Sequence, residues 1–547
     1  MKKNYRLSIA FLFVFFSFPS SFFNQPDLTN FYTQKNYEIV LTGPCVAEKT
    51  VEAFRLTQAR TTLETILNIT IPTIDEVPRI AVVCSGGGMR AAIVTLAALQ
   101  ALEKQKLLDA VTYIAGVSGA TWTIASWLVH NCSLEDLKEI IKNELCDTHN
   151  TKDLLSIIFS QALKKTLPDK QTRPRNLVDY WGMFLAKIFF ATKNNPEGTI
   201  TLSALAPTIS YKNYPIPLLT AVIAPDQDIS TDDYKKLEKA SFDVVSAYRW
   251  IEFSPLRINI PRLNKWILPH AFGSQFESNN FLSPLQEEEL GYLIGICGSA
   301  FALTVNDVLD NITIPEPKVI MKQLKKWGIK KETVDLLDTW GLFKSEWIKG
   351  VIKTALGAIL KTWSKKSENT RFINPKVPNF LYDTSTPSTL SKNKHLSLVD
   401  AGISNNIPFP PLMRKGIDVY IAVDSNINQD QAMSPIVRAQ KYAEKNSLPF
   451  PTFNYKNIKK KQFSIIKDDK NKNAPIIIYI QNPTEFSTMK FDCTDKEFDT
   501  LYNKIQTIIT GKKNFKTLKN ALKVACNKKR LSLKKDSHKR CLHSLNH

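Results

Sequence analysis

The alternation of apolar and polar positions marks a first clear element at Arg79-Ile-Ala-Val-Val-Cys84, a continuous β-branched run of the kind that forms a strand buried on both faces. The run breaks at Ser85-Gly86-Gly87-Gly88. It resumes at Met89 as an alanine- and leucine-rich stretch reaching Glu103, which predicts a helix. A second unit of the same design comes next, with a strand over 111–115, a turn at Gly116-Val117-Ser118-Gly119-Ala120 and a helix from Thr121 to His130. Two further strand-like runs lie at 396–399 and 419–423, and a helix is expected over about 49–67. Strands alternating with helices predict the α/β class: a mostly parallel central sheet flanked by helices.

Between about residues 287 and 393 the chain turns Lys-, Trp- and Leu-rich at helical spacing (322–327, 336–347, 351–363). This predicts an inserted, largely helical cap. The expected layout is a leader over 1–25, an N-terminal extension over 26–75 packing on the main domain, a catalytic domain over 76–510 that carries the cap, and a basic tail over 511–547. No internal repeat is present.

Composition changes this picture in two places. With 547 residues, 43% hydrophobic and 22% charged, the chain is globular in character, which excludes a wholly disordered, collagenous or polytopic membrane protein. Length alone allows two to four domains, or one large α/β domain with insertions. The excess of 72 Lys and Arg over 51 Asp and Glu, a net +21, points to an anionic partner, either nucleic acid or an anionic lipid surface. About half of that excess lies after residue 510, where twelve basic residues face one acid, Asp536. Such a tail reads as a solvated extension. Its single aromatic residue, Phe515, gives little base stacking, which disfavours nucleic acid. An anionic phospholipid membrane surface is the expected partner, since each Lys or Arg near it contributes about 1 kcal/mol.

Lys2, Lys3 and Arg6 precede an apolar run from Ile9 to Phe16 and then Ser17-Phe18-Pro19-Ser20-Ser21, the order of a secretory leader, although no A-x-A cleavage site follows. The run is short for a membrane anchor. The expectation is an exported or secreted protein, peripheral on membranes. The eight cysteines form no CxxC pair, so neither a zinc site nor any other metal or cofactor is expected.

The candidate chemistry lies in the two strand–turn–helix units. Gly116-Val-Ser118-Gly119-Ala120 matches G-x-S-x-G except at its last position; at a sharp turn the small neighbours let the backbone bend and expose the Ser118 hydroxyl. The Gly86-Gly87-Gly88 loop offers unhindered N–H groups to an oxyanion, and Arg90 adds a fixed positive charge. A nucleotide loop is the competing reading, but neither G-x-x-x-x-G-K-[ST] nor G-x-G-x-x-G is formed. A serine nucleophile needs a base. Of the seven histidines only His395 could complete a triad, whereas Asp400, ending the 396–399 run, sits where open α/β sheets put their sites and could take the Ser118 proton directly. A Ser118–Asp400 dyad uses these residues better than any triad.

Taken together and in this order, these motifs resemble the catalytic domain of the group IV cytosolic phospholipase A2 family, which is related to fungal phospholipase B and, more distantly, to patatin. Further stretches look like the same family: Glu48-Lys-Thr50, Val178-Asp-Tyr-Trp-Gly-Met183, Tyr214-Pro-Ile-Pro217, Glu252-Phe-Ser-Pro255, Phe272-Gly-Ser274, 291–301, Asn406-Ile-Pro408, Gly416-Ile-Asp418 and Phe486-Ser-Thr488. The resemblance spans about residues 38–510. It implies a patatin-like fold, Ser118 as nucleophile, Asp400 as its base, the Gly87 and Gly88 amides as oxyanion donors with Gly86 shaping the loop, and Arg90 near the phosphate or oxyanion. It implies phospholipase A2 or lysophospholipase activity through an acyl-enzyme, with transacylation or non-catalytic lipid binding as alternatives. Met89 stands where the family usually has phenylalanine and Ala120 where it often has serine. The segment before residue 38 is too short for a calcium-binding C2 domain, so calcium-independent action is expected.

Overall fold

A computed structural model describes residues 40–146, 177–211, 214–224, 248–278, 280–281, 287–299, 375–426, 431, 434–459, 461–482, 486 and 493–544. The compact unit that holds them runs from Val40 to His547. Its strands, in chain order, are β1 (Leu41–Thr42), β2 (Ile80–Cys84), β3 (Tyr113–Val117), β4 (Ile216–Ile223), β5 (Arg249–Ser254), β6 (Arg257–Ile260) and β7 (Lys265–Ile267). Then come β8 (Phe276–Glu277), β9 (Asn280–Phe281), β10 (Lys376–Pro378), β11 (His395–Asp400), β12 (Val419–Asp424), β13 (Phe463–Ile466) and β14 (Ile476–Gln481). The principal helices are α1 (Val46–Leu67), α2 (Gly88–Lys104), α3 (Gly119–His130), α4 (Leu134–Cys146) and α5 (Leu177–Phe190). After them come α6 (Leu290–Cys297), α7 (Pro435–Lys445), α8 (Asp495–Thr510) and α9 (Lys512–Ser544).

The main sheet runs β1-β7-β6-β5-β4-β3-β2-β12-β14-β13. Its centre, β4-β3-β2-β12-β14, is parallel as the sequence predicts. The flanks are antiparallel, making the whole sheet mixed. Every residue of β2, β3, β4 and β12 is buried, the signature of strands covered on both faces. Because the central strands are parallel, β2, β3 and β12 all deliver their following loops to one end of the sheet.

Two strands share one edge of β4. This strand is eight residues long and β3 only five, so β4 runs on past the end of β3. Val117, the last residue of β3, lies opposite Thr220. From the next position onward β11 takes over the same edge, antiparallel, with Asp400 opposite Ala221, Val399 opposite Val222 and Leu398 opposite Ile223. The other edge of β4 is held by β5 from Leu219 to Ile223, across the junction. Val117 and Asp400 therefore occupy successive positions along β4, about 3.3 Å apart in the strand direction. The residues around this junction, Val117, Val222, Trp250, Val399, Ala401 and Ile403, form one apolar cluster.

Two sequence expectations change. The expected cap begins at about 287, but α6 is buried along its whole length. It crosses α5 at glycines: a Cβ on Gly182 would come within 2.5 Å of the Gly291 carbonyl oxygen, and one on Gly295 within 2.9 Å of the Gly182 Cα. The start of the expected cap is thus core helix, held there by a backbone-to-backbone approach that only glycine permits. Residues 300–374, the bulk of that cap, lie outside the described residues. The second change concerns the tail, where α9 buries Leu518, Ala521, Leu522, Ala525 and Cys526 at helical spacing. An apolar stripe within the charged run docks it as a helix.

The base of the sheet, where the central strands begin, is tied together by buried charges. Glu48 of α1 bonds Lys415 at 2.9 Å, pairs with Arg257 and accepts from the Tyr113 hydroxyl at 3.1 Å. Lys415 also reaches Glu252 at 3.3 Å. Arg55 donates to the carbonyls of Leu108, Asp109 and Val111, and burial lowers its pKa to about 10. These bonds join α1 to the sheet; residues 26–39 of the expected N-terminal extension lie outside the described residues.

Candidate active site

At the end of β3 the chain turns through Ser118 with φ 51° and ψ −127°, a backbone conformation that L-residues avoid and that costs about 1–3 kcal/mol. The neighbours explain how the turn is tolerated. A Cβ on Gly116 would come within 2.8 Å of the Ile124 side chain, and a Cβ on Gly119 within 2.0 Å of the Gly88 carbonyl oxygen. Gly119 faces backbone that cannot swing aside and so requires glycine, while Gly116 is tightly packed against the tip of Ile124. The turn is closed by bonds from the Thr121 N–H (2.8 Å) and hydroxyl (2.6 Å) to the Ser118 carbonyl. Ser118 then caps α3, whose first N–H groups have no partner within the helix.

The glycine loop arrives from the end of β2. Gly87 (φ 140°) and Gly88 (φ 57°) both adopt conformations suited to glycine, and Gly88 opens α2. Because the Gly88 carbonyl lies against Gly119, the N-termini of α2 and α3 stand side by side. Two helix dipoles and their orphan N–H groups thus converge at the Ser118 turn, a setting that favours developing negative charge.

Gly86 is clamped. Its N–H reaches both the carbonyl (3.1 Å) and the side-chain oxygen (3.1 Å) of Asn406, and the Asn406 amide donates back to the Gly86 carbonyl at 3.3 Å. The same amide donates to Asn426 at 2.6 Å. The Ser425 hydroxyl also donates to the Gly86 carbonyl at 2.6 Å. A Cβ on Gly86 would sit 2.5 Å from the Asn406 side-chain oxygen and 2.9 Å from the Ser118 Cβ, so loop, elbow and Asn406 are in mutual contact.

Asp400 ends β11 and is buried. One of its carboxylate oxygens accepts the Gly402 N–H at 2.7 Å, which fixes the side chain as a cap on the following turn. A Cβ on Gly402 would lie 3.1 Å from that oxygen and 3.0 Å from Asn406. Asp400 is therefore linked to Ser118 in two ways, through the register along β4 and through the Gly402–Asn406–Gly86 contacts. Beside Asp400 lies Cys297, whose thiol is pushed well up by burial and further by the Asp400 charge. It stays protonated and offers no competing thiolate.

Arg90 is buried on the first turn of α2. It donates to the Phe486 carbonyl at 2.5 Å, and a Cβ on Gly87 would meet its guanidinium at 2.7 Å. Burial lowers its pKa to about 10, against the attraction of Asp424, so it remains cationic at neutral pH. Burial raises Asp424, while the Tyr479 hydroxyl, Asn426 and Arg90 oppose the rise.

Ser118, Asp400, Gly86–Gly88 and Arg90, singled out from sequence, thus share one end of the sheet. His395 does not: it begins β11 while Asp400 ends it, five residues or about 16 Å along the strand. Three further positions lie at the site without having been given a role from sequence. Asn406 appeared there only within the family-like stretch Asn406-Ile-Pro408. Asp424 and Ser425, by contrast, end the buried run 419–423 just as Asp400 ends 396–399, and the same strand-end rule points to them. Among the described residues no group of three or more His, Cys, Asp or Glu side chains could hold a metal ion.

Residues 80–336 match the model of the lysophospholipase catalytic domain. The chain is 27% identical over 424 residues to human cytosolic phospholipase A2 gamma, covering 69% of this chain and 74% of the relative. It is 23% identical over 532 residues to human cytosolic phospholipase A2 epsilon, covering 83% of this chain and 57% of the relative. In structure it resembles human GIVD cytosolic phospholipase A2 with a TM-score of 0.68 at 19% identity, over 90% of this chain and 69% of the other, which bears on the fold. The same enzyme in complex with methyl gamma-linolenyl fluorophosphonate aligns with a TM-score of 0.63 at 18% identity, over 91% of this chain and 67% of the other. These relatives are named cytosolic, which overturns the expectation of an exported or secreted protein. The basic–apolar–small order of residues 1–25 was the ground for that expectation; the segment lacks the A-x-A site that leader cleavage uses and lies outside the described residues.

Proposed function

We propose that this chain, a phospholipase hydrolase belonging to the group IV cytosolic phospholipase A2 and phospholipase B family, cleaves glycerophospholipid acyl esters with a Ser118–Asp400 dyad, through an acyl-enzyme and without calcium. The Ser118 oxygen attacks the ester carbonyl carbon as Asp400 takes its proton. The Gly87 and Gly88 N–H groups, at the opening of α2, stabilise the oxyanion, and Arg90 adds positive charge near it. Collapse of the tetrahedral intermediate expels the lysophospholipid alkoxide, which takes the proton from Asp400. Water then attacks the acyl-serine, Asp400 accepts its proton, and the Ser118 oxygen leaves with that proton as the fatty acid departs. Every role is filled by a group of the chain, which is the ground for expecting turnover without calcium.

The observation that carries this reading is the junction on β4. β3 ends in the strained serine turn where β11 ends in a buried carboxylate, with no described histidine placed between them. The test is hydrolysis of phospholipid labelled in its acyl chains, presented as vesicles in EGTA, by wild type, Ser118→Ala and Asp400→Asn. Each substitution is expected to lower kcat by at least about 10³-fold. Wild-type rates in both variants would refute the dyad, and activity that appears only with added calcium would refute calcium independence. A fluorophosphonate of the kind bound by the related enzyme should label wild type and spare Ser118→Ala.

A further inference from the structure

The helix α9 ends the described chain without an acid between Gly511 and Lys535, and it is held in place by an apolar stripe together with three of its basic side chains. Its inner face is apolar. Lys528 and Lys529 point inward, to the Ala474 carbonyl and to Asp418 at 3.0 Å, and Arg530 reaches Glu76 at 3.6 Å. These anchors share a location. Asp418 immediately precedes β12, Ala474 comes two residues before β14, and Glu76 comes four before β2. All lie where the parallel strands begin. The Ser118 turn, the glycine loop and Ser425 lie where those strands end. A strand of five or six residues, about 17–20 Å, separates the two ends.

The outer face of α9 is ordered in a different way. Lys512, Lys516, Lys523 and Lys534 are all exposed. At 100° per residue they fall within about 40° of one another, a straight cationic stripe about 33 Å long. Beside it, two turns apart, stand Val524 and Leu531, 46% and 61% exposed and among the few large apolar side chains left in water. Ile74, on the turn that α9 packs against, is a third. A rigid row of lysines flanked by apolar side chains complements a flat anionic surface with an apolar layer beneath it.

We propose that the outer face of α9 docks on an anionic bilayer, and that the bilayer held there is not the one on which Ser118 acts. The docking half is independent of the phospholipase reading; the orientation half rests on it. Held by its rear, the enzyme offers the catalytic end of the sheet to a second membrane or to dispersed lipid. The lysine row thereby tethers the enzyme without pressing its mouth onto the same lipids.

The test uses the full chain carrying Lys512→Gln, Lys516→Gln, Lys523→Gln and Lys534→Gln. The four positions are solvent-facing and glutamine keeps the helix propensity of lysine, so the fold is expected to persist. Sedimentation with vesicles of phosphatidylcholine and phosphatidylserine at low salt should show partitioning weakened roughly 100-fold or more, with the difference shrinking as salt rises. Equal partitioning of variant and wild type overturns the docking face. Tighter capture of wild type by duplex DNA or by an acidic polypeptide of matched charge than by vesicles also overturns it, in favour of those partners. Hydrolysis of substrate embedded in the same anionic vesicles should stay within about twofold between variant and wild type. A loss of turnover in proportion to lost binding would overturn the orientation while leaving docking intact. Wild type that binds vesicles yet hydrolyses no phospholipid in any form would instead sink the functional reading and leave the docking face standing.

Discussion

Gly119→Ala is the smallest change that tests whether serine turn and glycine loop act as one device. The new methyl carbon would lie 2.0 Å from the Gly88 carbonyl oxygen, 2.7 Å from its carbon and 3.0 Å from its Cα. Ordinary contact begins near 3.4 Å, so the loop or the turn must give by about 1.4 Å, and both partners are backbone with no rotamer to swing aside. Overpacking of this kind costs about 1–3 kcal/mol of stability. The larger effect falls on chemistry, because the displaced residue, Gly88, carries an N–H proposed to donate to the oxyanion. A misplacement of about 1 Å at a reacting centre costs on the order of 100-fold. Gly119→Ala is therefore expected to fold, melt a few degrees lower, and lose at least about 100-fold in kcat on a monodisperse ester substrate. Gly416→Ala is the control: it too has a positive φ, 65°, but nothing lies within 4 Å of its added methyl, and Gly416 precedes β12 at the far end of the sheet. It should cost about 1–2 kcal/mol of stability with kcat unchanged. If Gly119→Ala kept kcat within threefold while Gly416→Ala lost a similar amount of stability, the argument that the two helix N-termini are held in functional register would be wrong.

Two other substitutions probe the support beneath the site. Asn406→Ala removes the side-chain clamp on Gly86 and the bond to Asn426, and is expected to lower kcat about tenfold or more with KM little changed; an unaltered kcat would show that the backbone bond alone positions the loop. Glu48→Gln breaks a buried network and should cost about 3–5 kcal/mol at pH 7 by urea unfolding. Burial raises the Glu48 pKa, but Lys415 and Arg257 outweigh it and hold the carboxyl below its ordinary value of 4.5. A depressed folded pKa contributes stability above pH 4.5 that is lost as pH falls through the folded value. The gap between wild type and Glu48→Gln should accordingly narrow below pH 4.5, and a gap independent of pH would contradict the assignment.

The parts of the fold and site that could be read from sequence are those encoded by short-range order. β2 with its glycine loop and α2, and β3 with its turn and α3, each combine a buried run, a glycine turn and a helical run within about thirty residues. Ser118, the Gly86–Gly88 loop and Arg90 follow from that locality. Asp400 was legible because it closes an apolar run, and the dyad with Ser118 was already the sequence expectation. What was not legible is the register that brings the two strand ends to successive positions, set by the three extra residues of β4 and by β11 arriving antiparallel from far along the chain. Asn406 stood in the sequence only as part of the stretch Asn406-Ile-Pro408, with no role attached, because its clamp on Gly86 spans 320 residues of sequence. The antiparallel flank β5–β7 was missed because its short strands carry Arg249, Glu252, Arg257 and Lys265, which break the apolar runs that mark buried strands.

The basic tail shows how one sequence signal can mask another. Leu518, Ala521, Leu522, Ala525 and Cys526 fall at i, i+3, i+4, i+7 and i+8, the spacing of an amphipathic helix with a core-facing stripe. Net charge is blind to that spacing, because it counts lysines without asking which side of a helix they occupy. Once the stripe fixes which side faces inward, the outward lysines acquire a direction as well as a number, and their anchors fix which end of the sheet they belong to. On the proposed docking, that charge is attached to the end of the strands opposite the Ser118 turn, so attraction to a membrane and access to substrate would be separable. Neutralising the lysine row and displacing the glycine loop should produce opposite defects: lost anchoring with intact turnover in the first case, intact anchoring with lost turnover in the second.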